Sequence, residues 1–189
     1  MRGDLRPKLM PNYVALLRAV NLGGSTQVSM GDLRERLRES GFESVRTLLQ
    51  SGNIVFQTDL GRREEIERRI EDEIAQSCER PTVCFVRTAA EWRNVIARNP
   101  FPHQAAEDPG HMTVLVLKEA PPAAAWKALQ AAITGREAVR GQSDHGYVVY
   151  PDGTGRSRLT VGRIERVLGT GGTIRNWNTV TKIGSLLAK

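Results

Sequence analysis

The order of apolar runs, amphipathic stretches and turn signals predicts an α+β fold of two ferredoxin-like βαββαβ-type halves, the second diverged and ending in a helix pair. Three observations carry this. Tyr13–Val20 (YVALLRAV) is an almost unbroken apolar run, as a buried central strand should be. Residues 62–77 show the clearest helical period, with Ile66, Ile70 and Ile74 on one face. The strand-helix-strand-strand order of the first half recurs in the second.

Taken in order, Asn21-Leu22-Gly23-Gly24 breaks the first strand, and Asp32–Glu39 reads as a short helix stopped by Gly41. Glu43–Gln50 and Ile54–Thr58 are strands joined by the tight turn Ser51-Gly52-Asn53. Thr82–Arg87 closes the first unit. Ala89–Ala97 is a helix ended by Asn99-Pro100-Phe101-Pro102, and His103–Gly110 is a polar loop. Met112–Lys118 (strand), Pro122–Ile133 (helix), Glu137–Gly141 and Gly146–Tyr150 (strands) repeat the order. Residues 159–168 form a helix, Thr170–Thr173 a glycine-rich break, and the chain ends in a helix from about Asn176 with Val180, Ile183 and Leu187 on its apolar face. The expected organisation is a flexible leader at 1–11, a ferredoxin-like half at 12–87, a helix and linker at 88–110, and a βαββαα half at 111–189.

Composition excludes several classes. With 189 residues, 40% apolar and 25% charged, the chain has globular and not disordered composition. Two cysteines exclude a disulfide scaffold and a four-cysteine zinc site; Cys78 and Cys84 read as buried filler. No apolar run reaches membrane-spanning length, and MRGDLRPKLMPN lacks the apolar core of a secretory signal, so a cytoplasmic protein without membrane contact is expected. There is no phosphate-binding P-loop, no dinucleotide-binding fingerprint after a strand and no paired metal-ligand spacing. No metal or cofactor is therefore expected, and no residue is assigned a catalytic role.

The charge is unevenly placed. Residues 140–189 carry 8 basic and 3 acidic groups out of a whole-chain net of +6, and 22 of the 27 cations are arginine. Arginine offers a planar fork suited to phosphate and carboxylate, so a basic segment rich in it points to an anionic partner, a small molecule or a nucleic acid. Right-handed crossover places the carboxyl ends of the first two strands at one sheet edge. There Arg18, Asn21, Ser51 and Asn53 form one candidate anion site. Arg156 and Ser157, in a glycine-and-arginine segment, and Arg175, Asn176, Asn178, Thr179 and Lys182, around the start of the last helix, form a second, with Asn176 as N-cap.

Five blocks carry a family resemblance: YVALLRAVNLGG (13–24), LLQSGNIVF (48–56), RNPF (98–101), PDGTGRSRLT (151–160) and TIRNWNTVTKI (173–183). In order and spacing they resemble the family known as domain of unknown function 1697. The resemblance implies a two-part α+β protein of ferredoxin-like character and carries no assigned activity. The functional reading is a protein of unknown function that binds an anionic, phosphate-bearing or nucleic-acid ligand where the two halves meet. Two alternatives stand beside it: an enzyme on a small anionic substrate, which lacks an evident general base, or polar blocks that serve only to pin one half to the other.

Overall fold

The computed structural model describes residues 10–18, 29–48, 52–76 and 81–189. The first half runs β1 (Asn12–Leu17), α1 (Met30–Glu39), β2 (Glu43–Leu48), β3 (Asn53–Gln57), α2 (Arg63–Ala75) and β4 (Cys84–Thr88). Its four-stranded antiparallel sheet has the order β2-β3-β1-β4, the arrangement of a ferredoxin-like unit. The apolar run of β1 is explained by burial on both faces. Tyr13, Ala15 and Leu17 pack with Ile54, Phe56 and Val86 under Leu33 and Leu37 of α1 and Ile66, Ile70 and Ile74 of α2. Val14 and Leu16, with Val55 and Phe85, face the other way. Helix α1 starts at the Ser29 cap, whose hydroxyl accepts from the Asp32 N–H at 3.2 Å, and stops where Gly41 turns left-handed at φ 91°. Cys84 is fully buried in this core, and burial pushes its thiol pKa well up; Cys78 lies outside the described residues.

After β4 come α3 (Ala89–Ala97) and α4 (Pro102–Glu107). The second half runs β5 (Met112–Leu117), α5 (Ala123–Ala131), β6 (Ala138–Gln142), β7 (His145–Val149), α6 (Val161–Leu168) and β8 (Gly172–Asn176), then α7 (Trp177–Leu187). Its sheet order, β6-β7-β5-β8, repeats that of the first. Leu115, Leu117, Val148 and Tyr150 pack beneath α5 and α6.

Two expectations need correction. The polar loop at 103–110 contains α4, with Pro102 supplying the fixed φ of a first helical turn. The two closing helices are present as α6 and α7, but a strand separates them. Thr170–Thr173 is not simply a break: Gly172 opens β8, opposite Leu117 of β5. A Cβ at Gly172 would sit 3.0 Å from a Leu117 methyl, and its N–H donates to Glu165 Oε1 at 2.7 Å. The glycine marks a close approach between strands and not a loop. The second half is thus a complete βαββαβ unit.

This completes an internal repeat. Each half ends in a strand whose last residue caps the next helix: Thr88 for α3 and Asn176 for α7. Those two helices fill the space between the sheets. Trp92, Val95, Trp177, Val180, Ile183 and Leu187 join Val14 and Leu16 from one sheet to Val114, Val116 and Tyr147 from the other in one shared core. Trp92 Nε1 donates to Val180 O at 3.0 Å, and Gly184 lets α7 close on Ile96.

Hairpin β6–β7 also depends on glycine. Gly141 and Gly146 stand opposite each other, and the Trp126 ring lies on them; a Cβ at Gly141 would come within 2.0 Å of that ring. Gly141→Ala is expected to cost about 1–3 kcal/mol by overpacking. Thermal unfolding followed by tryptophan fluorescence checks it, and an unchanged melt would show that the ring is not seated there.

Candidate functional site at the junction of the two halves

The repeat places two arginines in equivalent positions, each one residue before the cap of its helix. Arg87 stands opposite Val14 on β1, and Arg175 opposite Val114 on β5. Each reaches into the other half. Arg175 Nη2 donates to Leu17 O, the end of β1, at 2.7 Å, and its Nε donates to Asn53 Oδ1 at 2.6 Å. Arg87 Nη2 donates to Leu117 O, the end of β5, at 2.6 Å and to Asp144 O at 3.1 Å. The residues that follow the two central strands cross as well. Arg18 makes a two-point pair with Glu165 of α6, at 2.6 and 3.0 Å, and Lys118 pairs with Glu67 of α2 at 2.7 Å. The junction is a set of reciprocal charged clamps around the core that α3 and α7 share.

The charge cluster is densest around Arg87, which is only 2% exposed. Asp144 lies 3.0 Å from Arg87 Nη2 and 2.8 Å from Arg63 Nη1, and Arg63 also pairs with Glu91. Burial opposes ionisation of Asp144, but His145, Arg87 and Arg63 outweigh it and hold the carboxyl well below the usual range. Burial likewise lowers the pKa of Arg87 despite Asp144, and lowers that of Arg175 to about 10.

The residues predicted from sequence fall in three places. Arg18, Asn53 and Arg175 meet at the junction, where they bond to protein groups: Asn53 is buried, donates to Leu48 O at 3.1 Å and accepts from Arg175. Asn21 and Ser51 lie outside the described residues. At α7, Asn176 caps the helix by accepting the Thr179 N–H at 2.9 Å, Thr179 is buried, and Asn178 and Lys182 are exposed on the helix surface. Arg156 and Ser157 belong elsewhere. They line a cavity of about 230 Å3 together with Arg136, Glu137, Asp152 and Arg158. That cavity has no wall from residues 18, 53 or 175–182. It lies beside the start of β5, where Tyr150 N–H bonds His111 O at 2.8 Å; the Arg18–Glu165 pair lies beside the β5 end, next to Gly172. The two are at opposite ends of the sheet.

In the loop cavity the Ser157 hydroxyl donates to Glu137, and this bond holds the Glu137 carboxyl below its ordinary pKa. Arg136 is 3.3 Å from Asp152. Arg156 and Arg158 are exposed and have no ion-pair partner among the described residues. Gly153, at φ 82°, sets the turn that brings them round.

Sequence reading missed a further cavity of about 120 Å3 at the junction itself, lined by Arg87, Glu91, Asn94, Arg98, Asp144 and His145. The pairing of α3 with hairpin β6–β7 that forms it depends on how the halves dock, which local pattern does not encode.

Two ferredoxin-like halves, joined by crossed arginines and a helix pair, define the class of molecule. The chain belongs to the family described as "Protein of unknown function (DUF1697)", whose model matches residues 10–147. The blocks at 151–160 and 173–183 lie beyond that match. No curated protein matches the chain. Among solved structures, the chain is similar to the conserved bacterial protein SP0830 from Streptococcus pneumoniae, at 20% identity and TM-score 0.74 over 95% of this chain and 99% of that one. That similarity concerns the fold. Among the described residues, no helix is long and apolar enough to cross a membrane.

Proposed function

We propose that the protein binds a small phosphate-bearing ligand in the cavity between residues 134–137 and 150–158. The observation that carries this is the presence of two guanidinium groups, Arg156 and Arg158, without ion-pair partners among the described residues, on the rim of a cavity that Arg136 also lines. Exposed arginines are common, but these converge on a concave site beside a glycine turn. Guanidinium forks bind phosphate oxygens in pairs. Glu137 is engaged by Ser157 and Asp152 by Arg136, so both carboxylates of the site are occupied.

The proposed anion site is thus the loop cavity and not the Arg18–Arg175 side of the junction. At the junction, the arginines serve the alternative of pinning one half to the other, since Arg18, Arg87 and Arg175 each bond across it. Isothermal titration with inorganic phosphate and a nucleoside monophosphate tests the loop site. Both are expected to bind, and the double variant Arg156→Ala/Arg158→Ala is expected to weaken them roughly tenfold or more, the size of one or two charged hydrogen bonds. Affinity should fall as salt rises. Equal binding by the wild type and the double variant would remove the reading.

A further inference from the structure

We propose, resting on the phosphate reading of the loop cavity above, that its ligand is a phosphate ester with neighbouring hydroxyl groups, a sugar phosphate or the ribose phosphate of a nucleotide. The internal repeat shows which part of that cavity the fold does not need. Between β3 and α2 the first half uses five residues, 58–62; between β7 and α6 the second half uses eleven, 150–160. The longer link carries Gly153, Gly155 and both guanidinium groups of the rim, Arg156 and Arg158. Five residues close the same unit in the first half, so the added length serves a site and not the fold. The added length is also held in place. The Ser157 hydroxyl donates to Glu137 and accepts the Leu159 N–H at 2.9 Å, and the Tyr150 hydroxyl donates to Leu159 O at 3.1 Å. The two arginines thus stand on a pinned loop, and a ligand has less order to impose.

The charge of the cavity belongs to the site as well. The first half has an equivalent cleft between the end of α1 and the turn after β3, whose charged lining is Asp59, Glu65 and Asp72 with Arg68 and Arg69. Carboxylates outnumber guanidinium groups there. In the loop cavity Arg136, Arg156 and Arg158 outnumber Glu137 and Asp152. Equivalent clefts of opposite sign show that the positive surplus is no property of the scaffold.

The two carboxylates set the rest of the ligand. Ser157 uses Oε1 of Glu137, and Arg136 lies 3.3 Å from Oδ1 of Asp152, so each carboxylate keeps a second oxygen. Glu137 Oε2 lies over Gly135 in the cavity lining, where a Cβ would collide with it, and Asp152 is exposed. Ionised carboxylates accept only, so they repel a bare phosphate and call for donors. Hydroxyl groups are donors without charge, whereas an ammonium group would stand beside Arg136. A phosphate ester with neighbouring hydroxyls meets both needs: phosphate oxygens on Arg156 and Arg158, hydroxyls on Glu137 and Asp152. The cavity, about 230 Å3, has room for roughly seven waters, more than a phosphate group alone displaces.

The test is calorimetric titration of the full chain with methyl phosphate, ribose 5-phosphate, adenosine monophosphate and phosphoethanolamine. Ribose 5-phosphate is expected to bind roughly tenfold more tightly than methyl phosphate, the worth of one or two hydrogen bonds to a charged group. Adenosine monophosphate keeps two neighbouring hydroxyls and should share the advantage; tighter binding than ribose 5-phosphate marks a nucleotide as the source, weaker binding a free sugar phosphate. Glu137→Gln keeps an acceptor for Ser157, and Asp152→Asn is a change at an exposed position. In at least one of the two, the advantage over methyl phosphate should fall below about threefold, while methyl phosphate itself binds no more weakly than to the wild type. Equal binding of methyl phosphate and ribose 5-phosphate, with both lost in Arg156→Ala/Arg158→Ala, would overturn the hydroxyl reading and leave the phosphate reading standing. An advantage that survives both carboxylate variants, or tighter binding of phosphoethanolamine than of ribose 5-phosphate, would overturn it as well. If none of the four binds, both readings fall.

Discussion

Arg87→Ala is expected to lower the free energy of unfolding by about 3–5 kcal/mol, the range for breaking a buried charge pair from one side. For a chain of this length that is a melting-temperature loss of roughly 6–20 °C. The guanidinium is almost wholly buried and holds three backbone carbonyls, Val86, Leu117 and Asp144, besides the Asp144 carboxylate. Alanine leaves those acceptors without that donor and leaves a void at the seam. Lysine carries the charge but not the fork, so Arg87→Lys should recover only part of the loss. Acid sharpens the test. Asp144 is held below its unfolded value of about 3.9, so its contribution is complete above that pH and is lost as pH falls toward its lower native value. Removing Arg87 raises the native value, narrows that window, and should shrink the difference between variant and wild type in strong acid. Urea unfolding at neutral pH and at about pH 2 measures both. A loss under 1 kcal/mol at neutral pH would mean that the apolar core between α3 and α7 holds the halves without the clamp.

The layout of strands and helices was legible because it rests on local pattern. The isoleucine stripe of α2, the Asn176 cap and the apolar β1 each declare themselves within one turn or strand. Strand β8 did not, because Gly172 signals a turn locally and earns its place only through Leu117 and Glu165, which lie far off in sequence or on another element. The repeat was visible as element order but not as residues. Its equivalences lie in position, Arg87 with Arg175 and Leu17 with Leu117, while the neighbouring side chains differ. Arg18 was read as part of an anion-binding site, and in the fold it pairs with Glu165 of the same chain. Charge count points to an attraction, but only docking decides whether the protein or a ligand satisfies it. His145 gave no signal, since a lone histidine beside an aspartate in a hairpin is unremarkable until α3 covers it.

Arg175→Ala is the second large effect, about 2–3 kcal/mol, and it separates the readings of the junction. The side chain bonds Leu17 O and Asn53 across the seam and Thr173 and Ile174 within its own half. Charged hydrogen bonds contribute about 1.5–3 kcal/mol each, but burial opposes this charge, lowering its pKa to about 10, so the net is smaller than the sum. Arg18→Ala should cost about 1 kcal/mol or less, because its side chain is 39% exposed and Glu165 keeps its bond to Gly172. Asn178→Ala should change stability by no more than about 0.5 kcal/mol, as an exposed residue outside the cap. The order Arg175, then Arg18, then Asn178 is what a structural clamp requires. A ligand site built from these residues predicts the reverse emphasis: little change in unfolding and a shared loss of anion binding in all three. Calorimetric melts and phosphate titration of the three variants distinguish the two, and a loss of binding at Asn178 with melting unchanged would return the anion site to the junction.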